Sequence, residues 1–285
     1  MTAAVLEQMF ARARGERRAA LVGYLPAGYP DLAGSAALFD ALIDGGCDGI
    51  EIGLPFSDPV IDGPVVASAQ RAALAAGFRT RDVFALIERI AARGVVPVVM
   101  SYINPVLAYG VDAFARDLAQ AGGAGMITPD LIVDEAAPWL AAAGRHDLAP
   151  IFLVAPSSPT ERIARTVAAC RGFVYAAAVM GTTGVRDTVS TGTPALVARC
   201  RERTTLPIGV GLGVRTGEQA AQIASFADAV IVGSALVAAA SGPNHVPGTV
   251  PRGDHAGARA VAALAGELAA GVRRSPADPS GSGAS

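Results

Sequence analysis

The feature that most constrains this chain is an alternation sustained eight times. Short apolar runs rich in β-branched residues occupy 19–24, 48–52, 95–101, 124–127, 149–154, 173–177, 206–210 and 228–232. After each lies a longer segment with helical spacing of its apolar residues: 32–46, 65–93 with a break at Gly77, 111–121, 134–144, 159–170, 193–203, 216–226 and 257–272. Strands joined by crossover helices run parallel and are buried on both faces, so their runs are apolar throughout. Eight such units predict a closed (β/α)8 TIM barrel, and the 285 residues suit a single barrel of about 250. The alternative is an open doubly wound sheet. It is opposed by the count and by the lack of a G-x-G-x-x-G after the first run, since Gly209, Gly211 and Gly213 have another spacing and come with the seventh.

Residues 4–18 carry Val5, Met9, Phe10 and Ala13 at helical spacing and end in a basic cluster, which predicts an N-terminal capping helix. A short extra helix is expected after strand eight. The Gly/Pro-rich stretch 241–256 reads as a surface loop, and the organisation expected is one domain over 1–272 with a disordered tail over 273–285.

Composition narrows the chemistry. All 23 basic residues are arginine, so Schiff-base catalysis and the lysine of a phosphate-binding P-loop are excluded. Against 25 acidic residues the net charge is −2 without long runs, which disfavours nucleic acid and membrane surfaces as partners. Cys47, Cys170 and Cys200 are odd in number and widely spaced, and His146, His245 and His255 lack metal-ligand spacing; reduced thiols, no metal and a cytoplasmic location are expected.

The second run, Gly49-Ile-Glu-Ile-Gly53, places Glu51 on the face opposite Ile50 and Ile52, so a carboxylate points into the interior. Asp62 ends the loop that follows. Two carboxylates in unlike surroundings can divide acid–base work from electrostatic work. The plain alternatives are an internal salt bridge for Glu51 and a turn or capping role for Asp62. Glycines stand after the later strands: Gly181 to Gly184 after strand six, Gly209, Gly211 and Gly213 after strand seven, and Gly233-Ser234 after strand eight. There small residues admit phosphate to backbone N–H groups, Ser234 could cap the short helix, and tight turns are the simpler explanation of any one glycine. Tyr175 ends strand six facing the cavity or packing, and Asn104 before Pro105 reads as a turn residue.

Gly53-Leu-Pro-Phe-Ser-Asp-Pro-Val-Ile-Asp-Gly-Pro64, with Glu51 before it, closely resembles the signature of the tryptophan synthase alpha chain family. The likeness extends over about 4–240, through Gly23 to Gly28, Tyr102 to Val106, Thr128 to Leu131 and the glycine turns. It implies a lyase that splits indole-3-glycerol phosphate by retro-aldol cleavage into indole and glyceraldehyde 3-phosphate, with no cofactor in this chain. Glu51 would be the acid/base and Asp62 the acceptor of the indole N–H. Tyr175, Thr183, Gly184, Gly211, Gly213, Gly233 and Ser234 would bind substrate, with Thr183 on a lid. The resemblance further implies a heterotetramer with a beta chain that holds pyridoxal phosphate and receives indole, faced by Asp58, Pro59, Asn104 and Pro129. Leu25, Val133 and Leu212 depart from the usual pattern. Rival readings are a phosphate-sugar isomerase on the same barrel and a non-catalytic ligand-sensing subunit.

Overall fold

The computed structural model describes residues 3–177, 192–211, 213–242 and 255–274. Eight parallel strands close a barrel in chain order: β1 (Ala20–Pro26), β2 (Gly49–Gly53), β3 (Val96–Met100), β4 (Gly125–Thr128), β5 (Ala149–Val154), β6 (Val174–Ala177), β7 (Ile208–Gly211) and β8 (Ala229–Val232), which pairs back onto β1. Every residue of β1 and β2 is buried, as parallel strands covered on both faces require. The helices are α1 (Ala4–Gly15), α2 (Leu32–Asp44), α3 (Pro64–Ala75), α4 (Val83–Ala92), α5 (Ile103–Tyr109), α6 (Val111–Gln120), α7 (Ala137–Arg145), α8 (Thr160–Ala169), α9 (Gly192–Arg201), α10 (Gly217–Ala224), α11 (Ser234–Ser241) and α12 (His255–Arg273).

Local chemistry sets many of these boundaries. Asp31 caps α2 by accepting the Gly34 N–H at 2.8 Å, and Pro64 opens α3 where its missing N–H costs nothing. Gly77, with φ of +92°, ends the α3 segment in the left-handed region that glycine enters without strain. A 3-10 turn, Thr80–Asp82, then leads into α4, so the break expected at Gly77 divides 65–93 into two helices.

The core has two parts. Outward-facing strand residues such as Ile50, Ile52 and Met126 pack against the helices, while inward-facing Val22, Val98, Ile151, Phe173 and Ile231 fill the barrel. Leu6, Met9, Phe10 and Ala13 of α1 belong to the inner part, and the Phe10 and Phe173 rings lie 5.7 Å apart. The predicted capping helix therefore plugs the N-terminal mouth of the barrel. Each large apolar side chain buried there contributes roughly 1.5–3 kcal/mol. Arg18 fastens the plug with two bonds to Asp48, at 2.6 and 2.8 Å, and Asp48 also accepts the Leu21 N–H at 2.9 Å. With that end sealed, the C-terminal ends of the strands are left to form a site.

Several expectations need correction. Asn104 lies in α5, not in a turn: Tyr102 is extended, the helix starts at Ile103, and Pro105 falls in its first turn, where no intrahelical N–H is needed. Gly209 and Gly211 are inside β7, not in the loop after it. Ser234 is the first residue of α11 and not its cap; Gly233 holds the capping position, without a side chain to bond. Segment 134–144 opens as a 3-10 turn, Val133–Glu135, ahead of α7. Helix α12 runs from His255 to Arg273, slightly longer than the 257–272 expected. Most of the expected 241–256 loop and the tail from 275 onward lie outside the described residues. Among those described, no helix is long and apolar enough to cross a membrane, and no group of three or more His, Cys, Asp or Glu could hold a metal ion. All three cysteines are buried free thiols.

Candidate active site

Glu51 is the third residue of β2, level with Tyr24 of β1 and Val98 of β3. Strand alternation turns it inward, where it is 1% exposed. Its Oε2 is buried and has no hydrogen-bond partner among the described residues. An ionised carboxylate there would forfeit hydration without compensation, so the group responds by holding its proton. Burial first, and the negative charge of Asp62 second, push the Glu51 carboxyl up to about 8. At neutral pH it is a carboxylic acid with a proton to give.

Asp62 lies at the end of the loop after β2, half-buried, in a polar setting of its own. Tyr102 donates its hydroxyl proton to Asp62 Oδ2 at 2.8 Å, and Gln70 Nε2 donates to the same oxygen at 3.1 Å. The Tyr102 oxygen in turn accepts the N–H groups of Val60 and Ile61, both at 3.1 Å, so one phenol holds the loop and its carboxylate together. Burial and the neighbouring Asp62 raise the Tyr102 phenol to about 12, which keeps it a donor.

Glu51 and Asp62 line one cavity of about 200 Å³ at the C-terminal mouth of the barrel. Of the residues expected to bind substrate, Tyr175, Gly211, Gly213, Gly233 and Ser234 line it too. Thr183 and Gly184, and the substituted position Leu212, lie outside the described residues. Apolar walls come from Ile61, Val66, Met100 and Ile231, giving a chamber with one acid inside, one carboxylate at its edge and a mixed polar and apolar lining. Tyr24 and Tyr175 add phenols raised well above their ordinary range, chiefly by burial and then by the nearby carboxylates.

The glycines divide by role. A Cβ on Gly211 would collide with the Tyr175 hydroxyl, and one on Gly53 with the Tyr24 hydroxyl, so these two positions are small to make room for buried rings. Gly233 caps α11 and lines the cavity with exposed Gly213 and Ser234, beside a first helical turn whose N–H groups have no intrahelical partners. That corner suits an anion.

The residues expected to face a partner lie on the rim. Asp58 and Asn104 are exposed, and Pro59 and Pro129 are half-buried. Pro129 also closes a narrow gap behind Asp62, next to Tyr102 and Gln70. Of the other departures from pattern, Leu25 is buried among the outer core and Val133 packs against it from the 3-10 turn.

Tyr24 and Gln70 escape the sequence reading. Tyr24 could have been found by alternation within β1. Gln70 interrupts the buried stripe of α3 formed by Val66, Ala69 and Ala73, a polar side chain where the period calls for an apolar one.

The model of a family described as tryptophan synthase alpha chain matches residues 10–264. A tryptophan synthase alpha chain of Mycobacteroides abscessus is 59% identical over 269 residues, 94% of this chain and 97% of that protein. One from Nocardia farcinica is 58% identical over 268 residues, 94% of this chain and 96% of that one. Among solved structures, that of Mycobacterium tuberculosis tryptophan synthase in space group F222 superposes with a TM-score of 0.86 at 56% identity, covering 95% of this chain and 98% of that chain.

Proposed function

The chain belongs to the tryptophan synthase alpha chain family, the lyase that cleaves indole-3-glycerol phosphate, and from that membership we propose how its own residues carry out the cleavage. Glu51 gives its proton to C3 of the indole ring, which turns the ring into a cationic indolenine. The resulting carboxylate takes the proton of the adjacent glycerol hydroxyl as the C–C bond breaks. The bonding pair returns to the ring as indole leaves, and the former carbinol carbon becomes the aldehyde of glyceraldehyde 3-phosphate. Glu51 ends as it began, protonated.

Asp62 accepts the indole N–H and balances the positive charge that grows on the ring. In a partly apolar chamber such an interaction stabilises the transition state far more than it would in water. The observation that carries the reading is the pairing of a buried Glu51, whose Oε2 has no hydrogen-bond partner among the described residues, with a hydrogen-bonded Asp62 across one cavity. The phosphate is assigned to Gly213 after β7 and to Gly233 and Ser234 at the start of α11, and Tyr175 to the cavity wall, with Gly211 making room for its ring.

The proton balance closes on these two carboxylates, so the step calls on no cofactor in this chain. Pyridoxal phosphate is assigned to a beta chain that receives the indole in an α2β2 tetramer. Asp58, Pro59, Asn104 and Pro129 are assigned to that contact, and they share the rim with exposed Val60, Leu107 and Ile132.

Indole release from indole-3-glycerol phosphate tests the assignment. Glu51→Gln is expected to lose about 10²–10⁴-fold in kcat, the range of a missing general acid–base. Asp62→Asn is expected to lose about 10²–10³-fold, as when a preorganised electrostatic partner is removed. Full turnover in both variants would remove the roles given, and an isomerised phosphate sugar in place of free indole would mark the isomerase alternative.

A further inference from the structure

Gln70 is a polar residue of the site to which no role has yet been given. It sits in the middle of α3 and is 2% exposed, so each end of its amide needs a partner to offset the loss of water. Both ends have one. Oε1 accepts the Phe56 N–H at 3.1 Å, and Nε2 donates to Asp62 Oδ2 at 3.1 Å, with the Tyr24 hydroxyl at 3.5 Å near its other hydrogen. A backbone N–H can only donate and an ionised carboxylate can only accept, so the two contacts agree on a single orientation of the amide.

One side chain thereby clips the beginning and the end of the loop that runs from Phe56 to Asp62. Tyr102 holds the same Oδ2 from the β3 side. Oδ2 is thus taken twice, while Oδ1 has no hydrogen-bond partner among the described residues.

Given the role proposed for Asp62, on which this inference rests, we propose that Gln70 is a positioning residue. Together with Tyr102 it grips Asp62 by Oδ2 and presents Oδ1 to the indole N–H. Without the amide, the carboxylate keeps its charge but gains rotational freedom about its side chain, and misplacement is costly for an interaction needed mainly in the transition state.

The test is a double-substitution cycle on indole release. Gln70→Leu and the unbranched, volume-conserving Gln70→Met remove the amide and keep an apolar filling, so one of them serves if the other folds poorly. Each is expected to lower kcat about 10–100-fold while KM moves less than about threefold. In an Asp62→Asn background the same substitutions are expected to cost less than about twofold, because there is no longer a carboxylate to aim. Titration with glyceraldehyde 3-phosphate is expected to be unchanged, which separates loss of aim from a damaged phosphate corner. Wild-type kcat in the Gln70 variants, or an equal loss in the Asp62→Asn background, would overturn the proposal and leave Asp62 its role. A fully active Asp62→Asn enzyme would remove both.

Discussion

Glu51 is a residue whose position works against the fold and, in the role proposed for it, for the chemistry. Its proton is held to about pH 8 in the folded protein, whereas an unfolded chain releases it near the ordinary carboxylate value of 4.5. Between those values the folded state binds more protons than the unfolded one, so this group erodes stability as pH rises from about 4.5 to about 8. The erosion is on the order of several kcal/mol for a shift of this size. Glu51→Gln removes the titration. Its melting temperature, compared with wild type by scanning calorimetry, is expected to gain roughly 5–15 °C on going from pH 5 to pH 9. On the role proposed for Glu51, kcat/KM for indole release is expected to fall above about pH 8, as its acid form is lost. A flat alkaline limb would mean that the acid is another group. Glu51 was legible in the sequence because a charge breaks an apolar strand on its inward face, and Asp62 because the motif around it is specific. For Gln70 only the break in the stripe of α3 was legible and not the role, since its partners, Phe56 and Asp62, lie 14 and 8 residues away and meet it only after α3 folds back over the loop.

The elements reach the sequence reader through period, and the eight-strand order follows from period alone. Failures gather where period is too short to register. The seven-residue α5 spans barely two turns and has a single buried residue, Val106, so no stripe marks it. The four residues of β7 include Gly209 and Gly211, which resemble a turn in sequence and join the ladder because their neighbours supply rings that a Cβ would obstruct. Gly211→Ala tests this: the added methyl meets Tyr175, the ring must shift into the cavity, and the cost is about 1–3 kcal/mol of stability. Indole release is expected to drop at least about tenfold, while Gly63→Ala, with open space at its Cβ, should alter stability by less than about 1 kcal/mol. The plug helix gives a second test at this scale. Arg18 is 5% exposed and Asp48 6%, so Asp48→Ala leaves a guanidinium buried against the barrel floor with Glu16 as its remaining ion-pair partner. Urea unfolding is expected to show a loss of about 3 kcal/mol. A loss under about 1 kcal/mol would mean that the pair behaves as an exposed one.

On the scale of the whole molecule, the two ends of the barrel have opposite tasks. The N-terminal mouth is closed by α1 and contributes stability, whereas the C-terminal mouth holds the candidate site and exposed aliphatic residues. Val60, Ile61 and Val65 follow β2, Leu107 follows β3 and Ile132 follows β4, each exposed by at least 39%. A monomer gains nothing by displaying large aliphatic residues after three successive strands, and a rim of this kind is what a protein partner covers. Val60 and Ile61 also donate to the Tyr102 hydroxyl that holds Asp62, so this part of the rim is hydrogen-bonded to the site. Leu107 and Ile132 stand apart from those bonds, so they test docking alone. Leu107→Asp and Ile132→Asp are each expected to weaken association with a beta chain at least about tenfold, since an unpaired carboxylate would be buried in the contact. Indole release by the isolated chain should stay within about twofold of wild type. Unchanged association in the double variant would move the docking face elsewhere on the barrel and would separate the apolar rim from the partner that the family implies.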